Sequence, residues 1–146
     1  MNEYVIPLAV SALVISICLY LHFNVLRLAS RKISQIQTSK RYPMLIIMTL
    51  IFVTHLIEIV FFAIAYWGMM KAGTGNLAGA HTSTVADYFY FSVASYTTLG
   101  IGDITPMGSM RLVAGIEALT GLLLIAWSAS FTYLMMERIW KPAEDQ

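Results

Sequence analysis

Thr97-Thr98-Leu99-Gly100-Ile101-Gly102-Asp103 lies between two long apolar segments, immediately after a short aromatic one. Its two glycines stand at alternate positions behind a threonine pair. Glycine tolerates positive φ at no Cβ cost, so Gly100 and Gly102 can alternate with their neighbours and turn successive carbonyls toward one axis. Thr98 can add a hydroxyl oxygen to the innermost rung. Irregular backbone of this kind is tolerated at membrane depth only where protein buries it or where it lines a watery path. Rings of carbonyl oxygens can replace the water shell of a dehydrated cation, and these residue types suit that task.

The rest of the chain supplies the membrane context. Of its 146 residues, 58% are hydrophobic and only 12% charged. The charged share is about half the ~25% of soluble domains, which marks a membrane protein. A hydrocarbon core of ~30 Å needs ~20 helical residues, and three segments are long enough. They are Tyr4 to Leu26, Pro43 to Met70, and Ser109 to about Arg138. Pro7 falls in the opening turn of the first and Pro43 at the start of the second, where proline is compatible with a helix. Glu3 precedes the first span in place of the basic residues of a cleavable signal. The lone Cys18 cannot form an internal disulfide and reads as a small buried apolar residue.

Between the second and third spans lies a shorter unit. Lys71 to His81 is glycine-rich and reads as an exposed loop. Thr84-Val85-Ala86-Asp87 fits a capping box, with Thr84 as N-cap and Asp87 near the third position. Asp87 to Tyr96 is apolar and aromatic but too short to span, so it reads as a re-entrant helix that stops at the glycine stretch. The C-terminal end of such a helix carries partial negative charge, which favours a cation waiting beneath it.

Ser95-Tyr96-Thr97-Thr98-Leu99-Gly100-Ile101-Gly102-Asp103-Ile104-Thr105-Pro106 resembles the pore signature of tetrameric potassium channels. The family pattern is a Thr pair, an aliphatic residue, Gly-Tyr-Gly, Asp, then a Pro shortly after. The resemblance covers roughly residues 44 to 138. Ile101 stands where the family usually has Tyr, with Phe or Leu in some members. Ala94 stands where some members have a Glu that bonds the Asp behind the filter, so Asp103 must find another partner. The resemblance implies that Thr98, Leu99, Gly100, Ile101 and Gly102 form the ion-binding filter, with K⁺ at Thr98 to Ile101. Thr97, Asp103 and Glu117 then become filter support. One filter segment cannot encircle an ion, so a cyclic homotetramer is implied, with the third span lining the inner vestibule.

The fold class expected is therefore an all-α membrane protein. Each chain has three transmembrane helices, with a re-entrant pore helix and filter between the second and third. The expected division is a peripheral helix over residues 1–28, a basic cytoplasmic connection over 29–43, a pore domain over 44–138 and a short tail over 139–146. Arg27, Arg31, Lys32, Lys40 and Arg41 all lie in or beside the first connection, which has no acid. Arg138 and Lys141 follow the third span, and the other side keeps only Lys71 and Arg111. The positive-inside rule puts this connection and the C-terminus in the cytoplasm and the N-terminus outside, in the plasma (inner) membrane. Leu26, Ile33 and Ile36 alternate with the basic residues, so the connection is either a surface helix on anionic lipid or a solvated linker. The first span carries no arginine ladder and is not read as a voltage sensor. Tyr66 and Trp67 at one end and Trp140 at the other suit interfacial anchoring.

Several residues inside the spans are candidates for function. Glu117 is a carboxyl within the third span, expensive unless paired or hydrogen-bonded. It either bonds Ser92, Ser95 or a backbone N–H behind the filter, or is a protonated group satisfied by a neighbouring helix. Gly121 resembles the family's hinge glycine, and close helix packing is the equal alternative. Helical spacing from Gly121 places Leu122, Ile125, Ala129, Tyr133 and Glu137 on one stripe, either lining the pore or facing the second span. His55 and Glu58, three apart, share a face, and a mutual hydrogen bond is expected in preference to a zinc site. His22 reads as interfacial. No Cys/His cluster, phosphate loop or nucleophile–base pattern in the sequence points to an enzyme, a nucleic-acid partner or a cofactor beyond permeant K⁺. The reading is passive, selective potassium conduction. Its rivals are a weakly selective monovalent cation channel and a non-conducting membrane subunit of a larger complex.

Overall fold

The computed structural model describes residues 4–33, 42–79 and 84–140, with backbone alone at 32–33, 42–43 and 139–140. In order the elements are α1 (Val5–Ile33), α2 (Tyr42–Lys71), β1 (Gly75–Gly79), α3 (Val85–Tyr96), β2 (Ile104–Gly108) and α4 (Met110–Trp140). Three of the helices, over Val5–Arg31, Met44–Lys71 and Met110–Arg138, are long and apolar enough to cross a membrane. Several polar residues within them stay compatible with an apolar surrounding because their side chains turn back on the helix, although the buried Ser11 hydroxyl has no partner among the described residues. Ser16, Asn24, Thr54, Thr120 and Ser130 each donate to the carbonyl four residues earlier, which removes an unpaired donor from a medium without water.

The first helix is longer than the expected span ending at Leu26. It continues unbroken to Ile33, so Arg27, Arg31 and Lys32 lie on α1 itself. Lys40, Arg41 and Ile36, the rest of the expected basic connection, lie outside the described residues, as does the tail beyond Trp140. The third span begins at Met110, one residue after the expected Ser109. Cys18 is fully buried, as its apolar setting suggests.

The glycine-rich stretch after α2 is not simply a loop. α2 ends where Gly73 takes φ +68°, with the Gly73 and Thr74 N–H groups donating to the Met70 and Met69 carbonyls. This left-handed exit is a common helix terminator. The chain then forms β1, which pairs antiparallel with β2 from Gly75 opposite Gly108 to Gly79 opposite Ile104. Glycine is depleted in strands, so composition concealed this pairing. Ser109 Oγ donates to the Thr74 carbonyl and reinforces the same junction. The ribbon brackets α3 and the glycine stretch, tying the start and end of that insertion together.

α1 packs on both α2 and α4, and α3 sits between α2 and α4. The main core joins Phe62, Tyr66, Tyr88, Phe91, Val113 and Leu124, with Val14 and Cys18 contributed by α1. Tyr66 and Phe91 meet edge to face at 5.1 Å, a favoured aromatic geometry. A second cluster of Leu26, Met44, Ile47, Ile51 and Met135 closes the other end of the bundle.

Gly121 is the tightest point between α4 and α3. A Cβ there would stand 2.0 Å from the Tyr96 carbonyl oxygen and 2.8 Å from its carbonyl carbon. Both are backbone atoms, so neither can swing aside. Gly121→Ala is expected to lower the stability of the purified protein by about 1–3 kcal/mol or more, read as a fall in melting temperature. Gly68→Ala, where an added Cβ meets nothing within 4 Å, should leave it unchanged. Equal melting temperatures for the two variants would contradict this packing.

Candidate ion-conduction site

α3 runs from Val85 to Tyr96, close to the expected Asp87 to Tyr96. The Asp87 carboxylate accepts from the Thr84 N–H at 2.9 Å and from Thr84 Oγ1 at 2.8 Å, which fixes the helix entry as the capping pattern suggested. At about 1.5 Å per residue its 12 residues reach about 18 Å, well short of a hydrocarbon core. Thr97 ends the helix with αR geometry at φ −83°, and its hydroxyl donates to the Val93 carbonyl at 2.7 Å.

From Thr98 the backbone changes character. Thr98, Gly100 and Gly102 have φ of +58°, +56° and +85°, whereas Leu99 and Ile101 between them do not have positive φ. The alternation is that expected of Gly100 and Gly102, extended one step further to a threonine. A non-glycine residue in this region is uncommon and strained, and nothing in the residue type announced it. Three N–H groups turn back toward the helix: Thr97 to Val93, Thr98 to Ser95, and Gly100 to Ala94, at 3.0 to 3.2 Å. Thr97 through Asp103 are exposed on the single chain, with Leu99 64% and Ile101 55% accessible. At membrane depth, irregular backbone of this kind is tolerated only where protein buries it or where it lines a watery path.

Asp103 finds the partner that Ala94 cannot provide. Tyr90 Oη donates to its Oδ2 at 2.9 Å and the Ile104 N–H to its Oδ1 at 2.9 Å. The sequence offered Tyr90 only as one of several aromatics on α3, so its role depends on the turn at Gly102.

Glu117 is fully buried where α4 meets α2 and α3. Ser92 Oγ lies 2.5 Å from its Oε1 and 2.9 Å from the Ile59 carbonyl, and Tyr66 Oη donates to its Oε2 at 2.5 Å. Ser92 is one of the partners anticipated for it. The sequence suits Tyr66 to interfacial anchoring, and the structure corrects that: it is fully buried and aimed at Glu117. Its place near the end of an apolar run misled, because period alone does not say which side of α2 meets α4. Trp67 is half-exposed, with Lys71 Nζ 5.9 Å from its ring.

His55 and Glu58 do bond each other, at 3.1 Å between Nδ1 and Oε2. They are not alone. His22, read as interfacial, is buried with its Nδ1 3.0 Å from Glu58 Oε1. Thirty-six residues separate the two, so no local spacing could have paired them. Tyr96 Oη also reaches Glu58 Oε2 at 2.6 Å.

On α4, Leu122, Ile125, Ala129, Tyr133 and Glu137 are all exposed on the single chain. Gly121 departs from that stripe: it is buried against Tyr96. Its contact favours close packing over a hinge.

The sequence profile of the family described as "Ion channel" matches residues 44–138. A similar protein is the "Inward rectifier potassium channel Kirbac3.1" of Paramagnetospirillum magnetotacticum, 32% identical over 94 residues, covering 64% of this chain and 30% of that protein. The chain thus spans less than a third of that relative's length. No solved structure matches it significantly.

Glu117→Ala removes the acceptor of the buried Tyr66 hydroxyl, while Ser92 keeps the Ile59 carbonyl, and is expected to cost about 1–3 kcal/mol for the stranded tyrosine. Glu117→Gln keeps an acceptor for Tyr66 and a donor for Ser92, whose own hydrogen then serves the Ile59 carbonyl. Thermal melting of both variants checks this. Gln should retain most of the wild-type stability and Ala should not.

Proposed function

The chain belongs to the ion channel family, and from that premise we propose that it forms a homotetrameric pore that conducts potassium selectively. The observation that carries the reading is the sign alternation of φ at Thr98, Gly100 and Gly102. Alternate residues of opposite hand turn consecutive carbonyls to one side of a strand. Four such strands around an axis make stacked oxygen rings that stand in for a hydration shell. The resemblance to potassium channels and the similarity to an inward rectifier potassium channel support K⁺ as the transported ion. Thr98, Leu99, Gly100, Ile101 and Gly102 supply the rings in this reading. Thr97, Asp103 and Glu117 hold them from behind, and α3 is re-entrant.

The exposed stripe of Ile125, Ala129, Tyr133 and Glu137 lines the inner vestibule in this assembly. The N-terminus lies outside and the C-terminus in the cytoplasm of the plasma (inner) membrane, with Arg27, Arg31 and Lys32 near anionic headgroups on the inner face. The separation into a peripheral α1 and a pore domain over 44–138 goes with the same arrangement.

Reversal potentials in bilayers with K⁺ and Na⁺ on opposite sides test the selectivity. K⁺ should permeate far better. Equal permeabilities would make the pore a weakly selective cation channel, the outcome that Ile101 would explain, since it lacks the hydroxyl of the family's Tyr.

Gly100→Ala is expected to abolish conduction or selectivity in a protein that still inserts and assembles. A Cβ at φ +56° costs roughly 1–2 kcal/mol in each chain, and a ring repeats that cost in every subunit. Unchanged K⁺ flux through liposomes would count against the backbone-lined filter.

Thr98→Ala should weaken block by barium, a divalent ion near K⁺ in size that prefers oxygen ligands. The variant removes one hydroxyl oxygen per chain from the innermost rung. Barium titration of single-channel currents gives the answer, and equal block in both proteins would remove Thr98 from the site.

A further inference from the structure

His22 on α1, His55 and Glu58 on α2, Tyr96 at the end of α3 and Ser128 on α4 form one closed set of contacts. Glu58 receives the Nδ1 edges of both imidazoles, at 3.0 Å from His22 and 3.1 Å from His55. The two Nε2 atoms meet a single hydroxyl, Ser128 Oγ, each at 3.1 Å. Tyr96 Oη lies 2.6 Å from Glu58 Oε2 and 2.8 Å from His55 Nδ1. His22 and Glu58 are buried, and His55 is 16% exposed.

The hydrogens in this set do not balance. An ionised Glu58 has none to give, each neutral imidazole has one N–H, and Tyr96 and Ser128 have one O–H each. Four hydrogens are available. Joining all five groups in the observed ring takes five, because both Ser128 contacts, the His22–Glu58 contact and two sides of the Glu58–His55–Tyr96 triangle each need one. The set is one positive charge short, in surroundings where an unpaired carboxylate is costly.

We propose that His22, His55 and Glu58 form a binding site for a divalent transition metal of the zinc class, buried where α1 meets α2 and α4 at the foot of the pore helix. One ligand atom from each of the three lies within 4.8 Å of the others. Ligands around tetrahedral zinc stand about 3.3 Å apart, so the two Nδ1–carboxylate contacts, at 3.0 and 3.1 Å, need to open by a few tenths of an ångström, and the remaining pair starts within 4.8 Å. A metal at the Nδ1 corner places the N–H of each ring on Nε2. Ser128 Oγ then accepts both, one on each lone pair, and Tyr96 donates to the carboxylate. Three of the four hydrogens then have an acceptor within the set, the Ser128 hydrogen being left to point away from it, and both ligating histidines gain the outer hydrogen bond that fixes ring tautomer and orientation in metal sites. The spacing agrees as well: His55 and Glu58 present two ligands from one helical face and the neighbouring helix brings the third, as in metal sites within helix bundles. The site goes beyond the conduction reading and does not depend on it.

The full-length protein in detergent micelles, stripped with a chelator, is titrated with Co²⁺ and followed by its visible absorption. Bound metal is then counted by mass spectrometry after Zn²⁺ replacement. About one metal ion per chain, with a cobalt band that Zn²⁺ bleaches, is expected. His22→Gln should abolish stoichiometric uptake, and Ser128→Ala should weaken affinity about tenfold or more. Wild-type protein with a native helical circular dichroism spectrum that takes up neither metal at tens of micromolar overturns the proposal and leaves a proton as the missing charge. Uptake unaltered in a folded His22→Gln variant overturns the assignment equally. Neither result bears on K⁺ flux, so the failure of this site and the failure of the channel reading are separate outcomes.

Discussion

Tyr96 is the joint on which the structure turns. Its carbonyl rests where Gly121 has no side chain, its ring stands edge-on to His55, and its hydroxyl reaches Glu58. The last turn of α3 is thereby held against α4 by backbone and against α2 by a polar side chain. The next residues, Thr97 and Thr98, begin the irregular segment. A strand with alternating φ has little regular hydrogen bonding of its own, so its course follows from where the helix before it and the ribbon after it are fixed. Gly121 and Tyr96 fix the first, and the β1–β2 pairing fixes the second.

A second constraint comes from the medium. Three helices suited to an apolar bilayer leave few places for polar groups, and each buried carboxyl is met by specific partners. Glu117 meets Tyr66 and Ser92, joining α4, α2 and α3. Glu58 meets His22, His55 and Tyr96, joining α2, α1 and α3. Ser92 and Tyr96, four residues apart on one face of α3, carry the two clusters, and each cluster uses a tyrosine to span the gap between helices. Hydrogen bonds are directional where apolar packing is not, so these clusters select the rotation of each helix about its axis.

The first helix takes part in this arrangement as more than a lipid-facing escort. Val14 and Cys18 enter the main core, and His22 stacks near Trp127 at 5.4 Å while bonding Glu58. α1 is thus joined through His22 to Glu58 and, by way of Tyr96, to the end of α3.

Much of this was written in residue order. The apolar runs and their lengths fixed three spans, because crossing hydrocarbon demands ~20 helical residues. The alternate glycines fixed two of the three positive-φ positions, since only glycine takes positive φ freely, and the capping pattern at Thr84 and Asp87 fixed where α3 begins. These are local properties, decided within a few residues. The contacts that cross between helices were decided by the tertiary structure alone. Nothing near His22 names Glu58, nothing near Asp103 names Tyr90, and the strand hidden in Gly75 to Gly79 exists because β2 lies beside it. A helix with apolar residues on all sides has no periodic signal to say which face turns inward. That face is chosen only when the few polar groups find each other across the bundle.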